Sequence, residues 1–239
     1  MTNDNRTVFI SGANSGIGLA TAQLLLNRGF RVIAHYHRNP SQLKKLRQKN
    51  ILIIGAELSS EAELNELLEQ IKVQKVDIVI NNAAQYSFRD DLLRLKASEI
   101  EKTFAVNLFA PLQIIQAALP RMISNKWGRI INISSVSVTH GGNSGTIDYT
   151  SSKAALEALT RSLAKAYSKD NILTNAVRVG VTDTGIHKLN PEKDLAKRAR
   201  QIPIQRVAQP IEVAEIIGFL CGDAASFVSG SIIPITGGE

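Results

Sequence analysis

Tyr149 and Lys153 stand four residues apart in the stretch Asp148-Tyr149-Thr150-Ser151-Ser152-Lys153. On a helix, that spacing puts both side chains on one face. A phenol titrates near pH ~10 and is a poor acid–base group at neutral pH. An ammonium ~4 Å away, at an effective dielectric of ~20, would stabilise the phenolate by about 4 kcal/mol. That is roughly three pKa units, so the pair is expected to bring Tyr149 near neutrality and make it a general acid–base group. Tyr-x-x-x-Lys is also a common chance match, and by itself it describes an exposed helix pair.

Three further clusters give the pair a context. Ser134-Ser135 closes an apolar run and offers hydroxyls to a developing oxyanion. Ser11-Gly12-Ala13-Asn14-Ser15-Gly16-Ile17-Gly18 follows a short apolar strand and opens a helical pattern. There Gly12 allows a tight turn, while Gly16 and Gly18 let the backbone approach a pyrophosphate on the positive end of the next helix. Without those flanks it would be an ordinary βα turn. Asn81-Asn82-Ala83-Ala84 suits a crowded loop against a ligand, though an Asx turn has the same composition.

The elements that must position these clusters alternate along the chain. Strands are expected at Thr7–Ile10, Arg31–Tyr36, 51–54, 76–80, 129–134, 172–177 and 231–235. Between them run helical patterns starting at Gly18, at Pro40 (through Lys49), and over 61–72, 98–122, 149–167 and 211–220, with Pro111 a break point in the longest. This order predicts an α/β fold, a single-domain Rossmann-type doubly wound sheet of about seven parallel strands with helices on both faces. In such sheets ligands bind at the carboxyl ends of the strands, where all three clusters fall.

Composition narrows the classes. The chain has 239 residues, 44% hydrophobic and 21% charged, which excludes a mainly disordered chain. With no linker or repeat, residues 1–239 are read as one dinucleotide-binding and catalytic domain. A single cysteine, Cys221, excludes an intrachain disulfide, points to a reducing compartment and reads as a buried thiol. The net charge of +7 favours acidic partners such as phosphorylated cofactors or acidic carriers. No membrane span is expected, since no stretch approaches ~18 uncharged apolar residues. A polar start predicts a cytoplasmic protein. The basic run at Lys44, Lys45, Arg47 and Lys49 carries no nucleic-acid recognition motif, so no nucleic-acid partner is expected.

Taken together, the motifs resemble the short-chain dehydrogenase/reductase family. They fall in family order over nearly the whole chain: Gly12-x-x-x-Gly16-Ile17-Gly18, Asn81-Asn82-Ala83, Asn107, Ser135, Tyr149-x-x-x-Lys153, Asn175 to Thr184, and Gly237-Gly238. The resemblance implies a hydride transfer between a nicotinamide dinucleotide and a carbonyl or secondary alcohol. It implies Tyr149 as acid–base residue, Ser135 as the partner of the carbonyl oxygen, Lys153 as the group that acidifies Tyr149 and holds the nicotinamide ribose, and Asn107 as the residue ordering a proton-relay water. For the cofactor it implies Gly12, Asn14, Ser15, Gly16, Ile17 and Gly18 at the pyrophosphate. Glu57 and Leu58 fall near the adenine, Asn82, Ala83 and Ala84 along the cleft, and Gly180, Val181 and Thr184 beside the nicotinamide. Ala84, Val179 and Thr236 stand where the family usually has Gly, Pro and Asp.

The cofactor can be read further. NAD-preferring enzymes place an acid after the second strand to bind the ribose hydroxyls. Here the stretch is Ala34-His35-Tyr36-His37-Arg38, with no acid. Arg38, helped by His35 or His37, could pair a 2′-phosphate, so NADP(H) is expected over NAD(H). The same stretch is similar to pteridine reductases, which otherwise carry Asp at the serine position. Residues 185–206 lie where the family puts a substrate lid, and Lys188, Lys193, Lys197, Arg198, Arg200 and Arg206 make it basic. A basic lid suits an acyl carrier protein or coenzyme A thioester. The leading expectation is therefore a 3-oxoacyl thioester reductase, similar to 3-oxoacyl-[acyl-carrier-protein] reductases. Sugars, polyols, steroids, pteridines and other small ketones are the alternatives, and a non-catalytic dinucleotide sensor is another. The family usually forms homotetramers or dimers through its two long helices, where Phe104, Leu108, Leu112, Ile115, Leu156, Leu159 and Leu163 supply apolar positions.

Overall fold

Thr7–Ile10 is buried at all four positions, a β1 with no solvent face. Such a strand needs cover on both sides. The computed structural model, which describes residues 6–46, 49–87, 91–185 and 195–239, shows how it is provided. Seven strands pair in parallel in the order β3-β2-β1-β4-β5-β6-β7. They are β1, β2 (Arg31–Tyr36), β3 (Ile51–Gly55), β4 (Ile78–Asn81), β5 (Gly128–Ser135), β6 (Ile172–Val179) and β7 (Ile232–Ile235). The expected doubly wound sheet is borne out, and the chain direction across it reverses between β1 and β4.

Two apolar layers close the sheet. On one face α1 (Gly16–Asn27) packs with α9 (Pro210–Leu220), burying Leu25, Leu26, Val213 and Ile217 against Val8, Ile10 and Val177. α2 (Ser41–Lys44) adds Leu43 to this layer. On the other face α3 (Glu61–Val73), α5 (Ala110–Asn125) and α7 (Ile147–Tyr167) bury Leu67, Ile71, Ile114, Met122 and Leu163 against Phe9, Val79 and Ile130. Cys221 is fully buried at the end of α9, as expected.

The helix read as 98–122 is composite. α4 (Ala97–Phe104) widens into a π turn at Ala105–Phe109 before α5 resumes. Pro111, in the first turn of α5, has no N–H to donate, and its ring would crowd the carbonyl four residues back, that of Asn107. The wider turn relieves that crowding without ending the helix. Ala97–Asn125 does contain an 18-residue window with mean hydropathy 1.3, long and apolar enough to pass as a span. In this fold Val106, Ala110, Ile114, Ile115, Ala118 and Met122 spend that hydrophobicity in the core.

The segment 180–206 is irregular as far as Gly185, and α8 (Leu195–Gln201) follows. Lys188, Lys193 and Arg47, named above, lie outside the described residues. α6 (Ser137–His140) is one short turn between β5 and α7.

Candidate active site

A cavity of about 780 Å³ opens at the carboxyl ends of the strands, on both sides of the β1/β4 reversal. One arm is the glycine turn. Gly12 has φ +64, and a β-carbon there would stand 2.9 Å from the Ala83 Cα. Gly16 has φ +52, and its β-carbon would meet Thr184 Cγ2 at 2.9 Å. Asn82 pins this turn through Nδ2, donating to the Ser11 and Gly12 carbonyls at 2.9 and 3.0 Å. Ser11 Oγ in turn accepts from the Asn82 and Ala83 amides at 3.0 and 2.9 Å. The four-residue composition of the Asn81–Ala84 loop therefore serves the turn as well as the cavity wall.

The N-terminus of α1 supports an anion at this arm. Ser15 caps the helix by backbone conformation but makes no side-chain cap hydrogen bond. Ser15, Gly16 and Ile17 line the cavity, so the first amides of α1 and the positive end of its dipole border it. These features fit a dinucleotide. Asn14, Leu58, Ala83, Ala84, Gly180, Val181 and Thr184 line the same cavity, and Gly18 lies behind it in the α1 packing.

At the far end of that arm His37 Nε2 meets Glu57 at 2.9 Å, and Lys102 Nζ approaches the same carboxylate at 3.4 Å. Burial raises the Glu57 pKa, but hydrogen bonds from Ser59 and the neighbouring His37 and Lys102 hold it below the usual carboxylate range. Arg38 is exposed just past β2 and is not part of the cavity wall. His35, offered above as a second phosphate partner, is corrected: strand alternation turns it inward, where it is 1% exposed.

The second arm holds the reactive groups. Ser135 ends β5 half-buried, its Oγ accepting from the Ser137 amide at 3.2 Å and lying within hydrogen-bonding reach of the Tyr149 phenol. Ser134, one residue earlier, points to the opposite side and donates to Glu157 Oε1 at 2.7 Å. Tyr86 meets Tyr149 edge-to-face, with ring centroids 5.4 Å apart at 90°. Lys153 is 2% exposed and donates to the Ile133 carbonyl at 2.7 Å, with Nζ 5.9 Å from the Tyr149 ring centroid.

The electrostatics correct the opening expectation. Burial pushes the Tyr149 phenol above its ordinary range, the Ser135 hydrogen bond works against that, and neighbouring Tyr86 adds to it. Lys153 does not acidify the phenol in this arrangement, because its ammonium is turned onto a carbonyl. Burial lowers Lys153 itself to about 8. At neutral pH the site thus holds a protonated phenol beside a mainly charged ammonium.

Asn107, in the π turn, is fully buried behind the cavity wall. Its Oδ1 accepts from the Gln85 amide at 2.7 Å, and its Nδ2 donates to the Gln85 carbonyl and Ser152 Oγ, each at 3.0 Å. Ser152 donates to the Tyr149 carbonyl at 2.7 Å. Asn107 therefore ties the loop after β4 to the helix turn carrying Tyr149. Composition and spacing gave no signal for Glu157, one turn beyond Lys153. It is 2% exposed and accepts from Arg178 Nε and Nη2 at 2.9 and 2.7 Å. Burial would raise its pKa, yet the Arg178 and Ser134 hydrogen bonds hold it down. It fastens β5 and β6 to α7 directly below the reactive groups.

A sheet reversal bordered by a glycine turn, with Ser, Tyr and Lys opposite, defines a dinucleotide-dependent oxidoreductase class. Comparison with known proteins agrees. The family profile described as enoyl-(acyl carrier protein) reductase matches residues 12–239. The chain is 36% identical to the 3-oxoacyl-[acyl-carrier-protein] reductase FabG of Aquifex aeolicus, over 96% of this chain and 95% of that one. It is 35% identical to FabG of Pseudomonas aeruginosa, over 100% and 98%. A solved short-chain dehydrogenase/reductase family protein superposes with a TM-score of 0.89 at 28% identity, covering 100% of this chain and 98% of that one. The chain belongs to the short-chain dehydrogenase/reductase family and is an oxidoreductase of that family.

Proposed function

We propose that this chain reduces the 3-oxo group of an acyl thioester, carried on acyl carrier protein, with NADPH as reductant. The observation that carries the reading is the single cavity joining the Gly12–Gly16 cradle to Ser135, Tyr149 and Lys153. The two bacterial relatives above, both named 3-oxoacyl-[acyl-carrier-protein] reductases, support the substrate class.

Bound in the cradle, the nicotinamide dinucleotide would supply hydride to the substrate carbon. The chain's own residues handle the oxygen. Ser135 Oγ is placed to donate a hydrogen bond to a carbonyl oxygen beside the Tyr149 phenol. Tyr149, protonated at neutral pH, has a proton to give as negative charge develops. The Lys153 ammonium, charged below pH about 8, would stabilise the phenolate left behind once it turned from the Ile133 carbonyl toward the Tyr149 oxygen. A phenol raised above its ordinary range favours this direction at neutral pH, and the reverse oxidation should need alkaline conditions.

The absence of an acid over residues 34–38 supports NADP(H), with Arg38 free to swing toward a 2′-phosphate from its exposed position. Glu57, the nearest acid, is already held by His37 and Lys102. The test is NADPH against NADH oxidation with an acetoacetyl thioester, beside a panel of ketones and sugars. The expected outcome is a KM for NADPH about tenfold or more below that for NADH, with the thioester turned over fastest. Preference for NADH, or turnover of sugars alone, would refute it.

We also propose a homotetramer or dimer built on α4–α5 and α7. Ile115, Leu156 and Leu163 belong to the core, but Phe104, Leu108, Leu112 and Leu159 are half-buried and Phe109 is exposed. Light scattering that returned a monomer at micromolar concentration would overturn this.

A further inference from the structure

β2 runs out beneath the glycine turn, and its inward His35 touches that turn twice. The His35 carbonyl accepts from the Ala13 amide at 2.7 Å. The imidazole Nδ1 meets the Gly12 amide at 3.1 Å. The ring's other nitrogen, Nε2, lies 2.9 Å from the Ala56 carbonyl. These partners fix the tautomer: an amide N–H can only donate, so Nδ1 carries the lone pair, and Nε2 carries the proton given to Ala56. Ala56 leads directly into Glu57 and Leu58 on the cavity wall. One imidazole therefore spans the two segments that would grip opposite parts of a dinucleotide.

We propose that His35 is a positioning residue for the dinucleotide cradle, acting through Gly12, and that a second proton on its ring releases the turn and weakens dinucleotide binding. The inference rests on the dinucleotide reading above. The geometry leaves no neutral route around it: an imidazolium presents N–H on both sides, so Nδ1–H would face the Gly12 N–H, donor against donor. Gly12 has little freedom to adapt, since its φ is +64 and Asn82 holds its carbonyl from the other side.

The groups around the ring are few. Burial lowers its pKa, the hydrogen bond to Ala56 raises it, His37 just past β2 lowers it, and Glu57 beyond β3 raises it. Glu57 is itself shared with His37 and Lys102 of α4. From β1 the neighbour is the uncharged Phe9 ring, 6.3 Å away. A histidine in an unfolded chain titrates near ~6.5, and this one titrates lower in the fold. Its neutral-form contribution is complete above pH ~6.5 and is lost as pH falls through the lower folded value.

The experiment compares the wild type with His35→Asn, whose Oδ1 can accept from Gly12 but does not titrate. Dissociation constants for NADPH and NADH are measured by nucleotide fluorescence from about pH 8 down to about pH 5. The wild type should lose at least about threefold more affinity than H35N over that span, for both nucleotides. NADH lacks the 2′-phosphate, whose own titration would otherwise blur the result. Parallel curves for the two proteins overturn the role of His35. Failure of either nucleotide to bind at any pH defeats the cofactor reading itself. Independently of any variant, nitrogen NMR of the wild-type imidazole should show the proton on Nε2 at about pH 8, and a ring protonated on Nδ1 there overturns the proposal.

Discussion

Tyr149→Phe should lower kcat by about a thousandfold or more while NADPH binding changes less than about twofold. The ring that rests edge-to-face on Tyr86 at 5.4 Å is kept, so the wall of the cavity keeps its shape. Only the hydroxyl beside Ser135 disappears, and with it the proton placed for a carbonyl oxygen. Single-turnover measurements under saturating NADPH separate the loss of chemistry from any loss of binding. A variant retaining more than about a tenth of the wild-type kcat would remove Tyr149 from the acid–base role.

Gly18→Ala should be nearly as damaging, through binding instead of chemistry. Its added carbon would lie 2.4 Å from the Gly12 carbonyl oxygen, 2.6 Å from Asn82 Nδ2 and 3.0 Å from the Ala13 Cα. Two of those three atoms are backbone and cannot rotate away. Gly18 is in helical conformation, so the cost is contact rather than backbone strain. α1 must move off the turn, or Asn82 must surrender its bonds at 2.9 and 3.0 Å to Ser11 and Gly12. Overpacking of this kind costs about 1–3 kcal/mol, which lowers Tm by about 2–12 °C at this chain length. Dinucleotide affinity should fall about a hundredfold, because the turn and the first amides of α1 separate together. Calorimetry and fluorescence titration read the two effects, and native affinity in a folded G18A protein would show that the cradle tolerates a side chain.

The alternation of apolar runs and helical periods was enough to predict the strand count and the parallel sheet, because strands covered on both faces cannot disguise their hydrophobicity. Gly12, Gly16, Tyr149, Lys153 and Ser135 were legible from residue type and spacing, and the structure brings them to one cavity. What spacing could not convey was direction. Lys153 shares a helix face with Tyr149, yet its long chain reaches past the ring to the Ile133 carbonyl. His35 and His37 differ by two residues, but the end of β2 sends one inward and lets the other leave the sheet toward Glu57. Glu157 gave no signal, because its partners Ser134 and Arg178 lie on two separate strands. The π turn was hinted at only by Pro111, and nothing local announced that it would aim Asn107 between Gln85 and Ser152.

The 21 residues of α7 bring Tyr149, Lys153 and Glu157 into a column, one turn apart. The first two line the cavity, and the third bolts two strands to the helix. Loosening this helix to admit a bulkier reactant would therefore slacken the sheet as well. Room for new chemistry lies at the rim, in α6 and α8, which border the cleft away from that column. Divergence toward other carbonyl compounds should be sought in those margins, with the central column left as it stands.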